Sequence, residues 1–163
     1  MSALIPFALS FPARPVRRVL RLAAAAALAC ASAAAAAQQP QSLPVRQLRA
    51  GMYLIQAEVA STEQTRELGL MFRERLAPNH GMLFIFDQPG TQCMWMRNTL
   101  IPLSVAFIGD DGAIVNIEDM APQTENSHCA ARPVRYALEM DAGWFAKRGF
   151  KAGSKLEGIP GVR

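Results

Sequence analysis

Hydrophobic and polar positions alternate with a period of two over most of the chain beyond residue 50. From Met52 to Val59 the residues Tyr53, Ile55, Ala57 and Val59 share one face; from Met82 to Asp87 the set is Met82, Phe84 and Phe86; from Leu103 to Ile108 it is Leu103, Val105 and Phe107. Half-buried strands carry this signature, because successive side chains of extended backbone point to opposite sides. Asp110-Asp111-Gly112 is a hairpin signal, since Asp-Gly supplies the positive φ of a tight turn, and Ala113 to Asp119 should return antiparallel. Val134 to Met140 follows the same rule, with Val134, Tyr136, Leu138 and Met140 inward and Arg135 and Glu139 outward. At least six strands are expected.

Two segments depart from that period. Ser61-Thr62-Glu63-Gln64 offers a capping serine with Gln64 three residues on, after which Leu68, Met71, Phe72 and Leu76 fall at helical spacing, so the pattern predicts a helix over about Glu63 to Glu74. A second short helical turn is expected from Gly143 through Trp144, Phe145 and Lys147 to a C-cap at Gly149. The predicted fold is mainly β: an antiparallel β-sandwich or jelly-roll-like barrel with one or two short helices.

The N-terminal 37 residues belong to a different class. Arg14, Arg17, Arg18 and Arg21 precede an apolar run from Leu22 to Ala29, and the alanines end at Ala35-Ala36-Ala37. This is the layout of a signal peptide cleaved near Ala37, and the run is shorter than the roughly 20 residues of a spanning helix. Arg17-Arg18 leaves a twin-arginine route open and Cys30 leaves lipidation open. The protein is therefore expected to be exported, periplasmic or secreted, with residues 38–44 as a flexible tether and 45–163 as a single domain. The leader also holds four of the 17 Lys and Arg residues and no acid, so 13 cations face 13 Asp and Glu in the remainder. Without a basic stripe, no nucleic-acid partner is expected.

Export also bears on the cysteines. Once Cys30 is removed with the leader, Cys93 and Cys129 remain, and an oxidising compartment would join them. In the chain-entropy account such a bridge contributes about 4 kcal/mol. Two alternatives stand beside it: a catalytic thiol at Cys93 assisted by His80 or His128, and a metal site, which no CxxC, HxxxH or HExxH spacing supports.

A set of short strings carries a family resemblance: Thr62, Arg66, Gly69-Leu70-Met71 and Arg73; Gly81-Met82-Leu83-Phe84; Trp95-Met96-Arg97-Asn98-Thr99 with Ile101-Pro102-Leu103; and Leu138-Glu139 with Ala142-Gly143. Together they resemble the domain-of-unknown-function 192 family from about Val45 to Leu156. The resemblance implies a compact, mainly antiparallel β fold of jelly-roll type, often exported, with no established activity or cofactor. The chain departs from the family pattern at Ser104 and Gly109, where acids are usual.

Function has to be weighed on the residues themselves. Alternation puts Cys93, Trp95 and Arg97 on one face of a strand and Met94, Met96 and Asn98 on the other. Trp95 beside Arg97, Asn98 and Thr99 could stack and hydrogen-bond a carbohydrate or a carboxylate, although turn chemistry also explains Asn98-Thr99. Arg66 and Arg73, seven apart on one helix, could clamp an anion, with ion pairs to Glu63, Glu67 or Glu74 as the plainer account. Cu(I) at Met94, Met96, Cys93 or Met120 is chemically conceivable, but a regular strand separates Cys93 from Met94. The resulting expectation is a non-enzymatic small-ligand-binding or accessory module of the cell envelope, monomeric, without cofactor or metal, using Arg66, Arg73, Trp95, Arg97, Asn98 and Thr99. The alternatives are a small periplasmic hydrolase or transferase built on Cys93 and His128, and a structural envelope-interaction protein.

Overall fold

The structure, a computed structural model, describes residues 39–161; the expected signal peptide of residues 1–37 lies outside them. Eight strands and one helix follow in chain order: β1 (Val45–Ala50), β2 (Tyr53–Ala60), α1 (Glu63–Leu68), β3 (His80–Gly90), β4 (Cys93–Met94), β5 (Leu103–Ile108), β6 (Ile114–Met120), β7 (His128–Cys129) and β8 (Val134–Asp141), then a 3₁₀ turn at Ala146–Arg148. Six strands form one sheet in the order β1-β2-β3-β8-β5-β6, and β4 pairs with β7 in a separate ribbon.

The mainly β reading holds, as do the faces of β2, β3 and β5; on β8 Tyr136, Leu138 and Met140 share a face as expected, whereas Val134, beyond a shift of register against β3, packs in the opposite layer. Leu83, Ala106, Ile108, Tyr136, Leu138 and Met140 lie on one side of the sheet under Trp144, Phe145, Leu156 and Ile159. Met82, Phe84, Leu103, Val105, Phe107 and Ala137 lie on the other under Leu70, Met94, Met96 and Ile101. The covers are loops, short helices and a two-stranded ribbon, so the domain is one sheet with two faces buried and not two large sheets packed together. Nor does strand pairing close a barrel. Instead the C-terminal segment bonds to both edges: Glu157 exchanges two backbone hydrogen bonds with Arg49 of β1, and Ser154 and Gly153 bond to Ile114 of β6. This protects edges that would otherwise present unpaired N–H and C=O groups.

The sheet is also mixed. β2 and β3 run parallel, with Gln56 opposite His80 and Ala60 opposite Phe84, and all other paired strands run antiparallel. Residues 61–79, which carry α1, supply the long crossover that a parallel pair requires. The Asp110-Asp111-Gly112 hairpin forms as expected, with Gly112 at φ 75° and the Asp111 carboxylate accepting from the Ala113 N–H.

α1 is half the expected length. Thr62, not Ser61, is its N-cap, with a capping box to Thr65, and Gly69 ends it at φ 47°. Leu70 then turns into the core and Phe72 adopts φ 64°, so Met71, Phe72 and Leu76 are not helical. The expected tether is anchored: the Gln41 side chain donates to the Thr65 and Gly69 carbonyls, and the Leu43 N–H donates to Glu58 Oε2.

Gly81 shows how closely the central strands approach. It lies opposite Met140 in the β3–β8 pair, and a Cβ there would collide with the Glu139 carbonyl oxygen and Met140 Sδ. Because one collision is with backbone on a central strand, Gly81→Ala is expected to lower unfolding free energy by about 2–4 kcal/mol in chemical denaturation. A loss below about 0.5 kcal/mol would show that β3 and β8 are free to separate.

Candidate functional site: a cleft over a buried glutamate

β8 sits between β3 and β5, so its side chains face covered layers on both sides. Glu139 lies opposite Met82 on β3 and Val105 on β5. Cross-strand partners share a face, which places Glu139 beneath the layer of Leu70, Met94 and Met96. The expectation that it points outward is thus overturned: Glu139 is 3% exposed. Alternation was read correctly, but β8 has no solvent side.

Among the described residues no group hydrogen-bonds the Glu139 carboxyl. Burial alone pushes its pKa up to about 8, so at neutral pH the acid form predominates. The carboxyl lies at a narrow cleft. One wall comes from the end of α1 and the following loop, with Arg66, Glu67 and Gly69 to Met71; the other comes from Met94, Trp95 and Thr99; Phe84 completes it. The space within the cleft is about 20 Å³, enough for one water-sized group.

Local chemistry builds both walls. Gly69 permits the sharp helix end, and a Cβ there would stand 3.4 Å from the Phe84 ring. Asn98 adopts φ 56°, and its carbonyl accepts from the Phe72 N–H at 2.9 Å, tying the two walls together. Thr99 is fixed by its N–H to the Met96 carbonyl and its carbonyl to the Gln123 N–H, both 3.0 Å. A disulfide between Cys93 and Cys129, S–S 2.07 Å, anchors the second wall through the β4–β7 ribbon.

The residues expected to form one site are divided by the fold. Trp95, 44% exposed, and buried Thr99 line the cleft with Arg66. The Arg66 guanidinium is already engaged: Nη1 donates to the Ser61 and Ile85 carbonyls, Nη2 to Asp87, and the group lies 5.6 Å from the Phe86 ring centre. Arg73 falls beyond α1, so helical spacing no longer pairs it with Arg66. It binds Glu58 through both terminal nitrogens, at 2.7 and 2.8 Å, and the Gln41 carbonyl through one of them. Arg97 packs 5.7 Å from the Trp95 ring centre, faces Glu125, and with Asn98 borders a separate depression.

Two other chemistries lose their groups. Cys93 Sγ is bonded to Cys129, so a Cys93–His128 hydrolase has no thiolate in this state. Met94, Met96 and Met120 pack in one apolar cluster, as core residues do. A larger groove, about 730 Å³, runs between β1 and the start of α1 past Val45, Val59, Thr62 and Pro160. It holds no buried ionisable group, so size alone does not make it the better site.

The pH dependence of stability follows from Glu139. Its folded pKa lies above the ordinary glutamate value of 4.5, so the folded state holds the proton more tightly than the unfolded chain. Stability from this group is fullest below pH 4.5, falls as pH rises, and is lost once pH passes about 8. The full shift corresponds to about 5 kcal/mol. Glu139→Gln, measured by urea denaturation, should lack this decline and be the more stable protein at pH 8.5. Parallel pH profiles for the two proteins would show that Glu139 is not buried in its folded form.

Comparison with known proteins adds a family and two structures. The domain-of-unknown-function 192 family model, described as "Uncharacterized ACR", matches residues 46–158. A crystal structure from Sinorhizobium meliloti 1021, described as a candidate transcription regulator, is 36% identical with a TM-score of 0.70 and covers 74% of this chain and 98% of its own. A protein of unknown function from Novosphingobium aromaticivorans DSM 12444 is 33% identical with a TM-score of 0.68, covering 73% and 92%. No curated protein matches the chain.

Proposed function

The chain belongs to the domain-of-unknown-function 192 family, and from that premise we infer that it is an exported, non-enzymatic small-ligand-binding module whose site is the cleft over Glu139. One observation carries the reading: a glutamate 3% exposed, its carboxyl without a hydrogen bond among the described residues, lining a cleft beside an exposed indole. A carboxyl held at such a cleft can take a donor from a ligand, and hydrogen bonds to charged groups contribute about 1.5–3 kcal/mol. Trp95 adds a flat apolar surface at the rim, where stacking contributes about 0.5–1.5 kcal/mol.

Export rests on the leader pattern and is in keeping with the Cys93–Cys129 bridge. Among the described residues no helix is long and apolar enough to cross a membrane. The regulator description of the Sinorhizobium structure suggests nucleic-acid binding, but the equal count of cations and acids beyond residue 37 does not favour it here.

Two measurements test this reading. A fragment screen by NMR should give hits that move the Trp95 indole and Thr99 resonances, and Trp95→Ala should weaken them roughly three- to tenfold. Hits confined to the β1 groove would refute the cleft. The intact mass of protein recovered from the periplasm should begin at Gln38 and be two hydrogens light, whereas retention of the leader with two free thiols would refute the export reading.

A further inference from the structure

The groups around Glu139 are unequal in kind, and that inequality bears on which small ligand the cleft takes. The lining residues whose side chains can accept are Glu139, the exposed Glu67 and Thr99. The strongest donor nearby, the Arg66 guanidinium, is bound to two carbonyls and Asp87. An anion entering here would find no free cation to hold it. A sugar ring exceeds the 20 Å³ within the cleft and could touch only the rim. A primary ammonium is compact, brings three N–H donors, and gives a buried carboxylate the partner it lacks.

The remaining lining suits the rest of such a molecule. Leu70 and Met71 offer apolar surface to an alkyl chain, and the indole of Trp95 has a ring face that attracts cations and covers methylenes. The charged groups that face the cleft are Arg66 and Glu67 from the end of α1; the neighbours on β3 and β5, Met82 and Val105, are uncharged, as are Met94, Trp95 and Thr99. Arg66 is already paired with Asp87, so the unpaired negative charge of the cleft comes from exposed Glu67 and, once ionised, from Glu139.

We propose that the cleft binds a small aliphatic amine through its primary ammonium group, with Glu139 as carboxylate counter-ion, Thr99 as second acceptor and Trp95 over the alkyl chain. The proposal rests on the small-ligand reading above and names its ligand class. Binding replaces a proton on Glu139 with the ammonium, and the proton passes to solvent. No bond other than this O–H is broken, and no other reactant is required.

The test uses the mature protein labelled at its methyl groups, titrated with n-butylammonium chloride, n-butanol and sodium butyrate at fixed ionic strength and at pH 7 and 9. Butylammonium should shift the methyls of Leu70, Met71 and Thr99. Its affinity should be about tenfold tighter at pH 9 than at pH 7, because deprotonation of Glu139 comes before binding. Glu139→Gln should abolish these shifts while the rest of its spectrum matches wild type, which guards against misfolding. If butyrate binds instead, and more weakly at pH 9, Glu139 acts as an acid donor; the amine assignment falls and the small-ligand module stands. If none of the three moves a cleft methyl, the amine assignment falls; if the fragment screen also gives no hits there, the ligand-binding reading falls with it.

Discussion

β8 is the strand on which the rest of the domain depends, because it is hydrogen-bonded on both edges and covered on both faces. Six of its eight residues are buried. A strand so placed reads best as continuous apolar sequence, and Val134 to Met140 nearly does. Glu139 is the exception, and its position admits no easy escape. A slip of one residue would send Glu139 to the layer of Trp144 and Phe145, and with it Tyr136, Leu138 and Met140 would change sides. The register Met82–Glu139–Val105 is therefore enforced by its neighbours, and the carboxyl has to be accommodated where it stands.

The accommodation explains local features that look unrelated in sequence. Gly69 stops α1 so that Leu70 can enter the core and the chain can line the cleft. The two bulky or polar residues in left-handed conformation near it, Phe72 and Asn98, meet through one backbone hydrogen bond that joins the walls. Arg73 with Glu58 and Gln41 holds the loop after α1 against β2, and the disulfide holds the opposite wall. Positive φ at non-glycine residues is costly unless the surroundings fix it, and here ion pair, disulfide and interloop hydrogen bond do so.

Much of the fold was legible because it obeys a period. The faces of β2, β3 and β5, that of β8 from Tyr136 to Met140, the Asp-Gly hairpin and the C-cap at Gly149 all follow from local rules and recur in the structure. The parallel pairing of β2 with β3 was not legible, since it depends on a crossover that leaves no local trace. The overlong helix has a physical cause: Met71, Phe72 and Leu76 are apolar at helical spacing, but Gly69 and the demand to bury Leu70 override it. The candidate site was half legible. Trp95, Thr99 and Arg66 do line the cleft, while Arg73, Arg97 and Asn98 serve its surroundings. Glu139 was missed because a charged residue in alternating sequence reads as solvent-facing when the second cover layer is unknown. The family strings held a usable signal: Arg66, Gly69-Leu70-Met71, Phe84, Trp95, Thr99 and Glu139 come from four separate stretches and converge on this one cleft.

That convergence gives the cost of Glu139 a second meaning. Burial raises its pKa from 4.5 to about 8, which is free energy the fold forfeits whenever the group ionises. A leucine or methionine on β8 would avoid the loss, and most substitutions that fill such a position with apolar atoms would raise stability. The same quantity bounds what a partner for the carboxylate can return on binding, because stability and binding are linked through one protonation equilibrium. The carboxyl that weakens the sheet is thereby the group through which occupancy of the cleft would stabilise it. A ligand that left Glu139 protonated and unpaired would gain only surface contact from a space of about 20 Å³; one that pairs with it draws on the central strand of the domain.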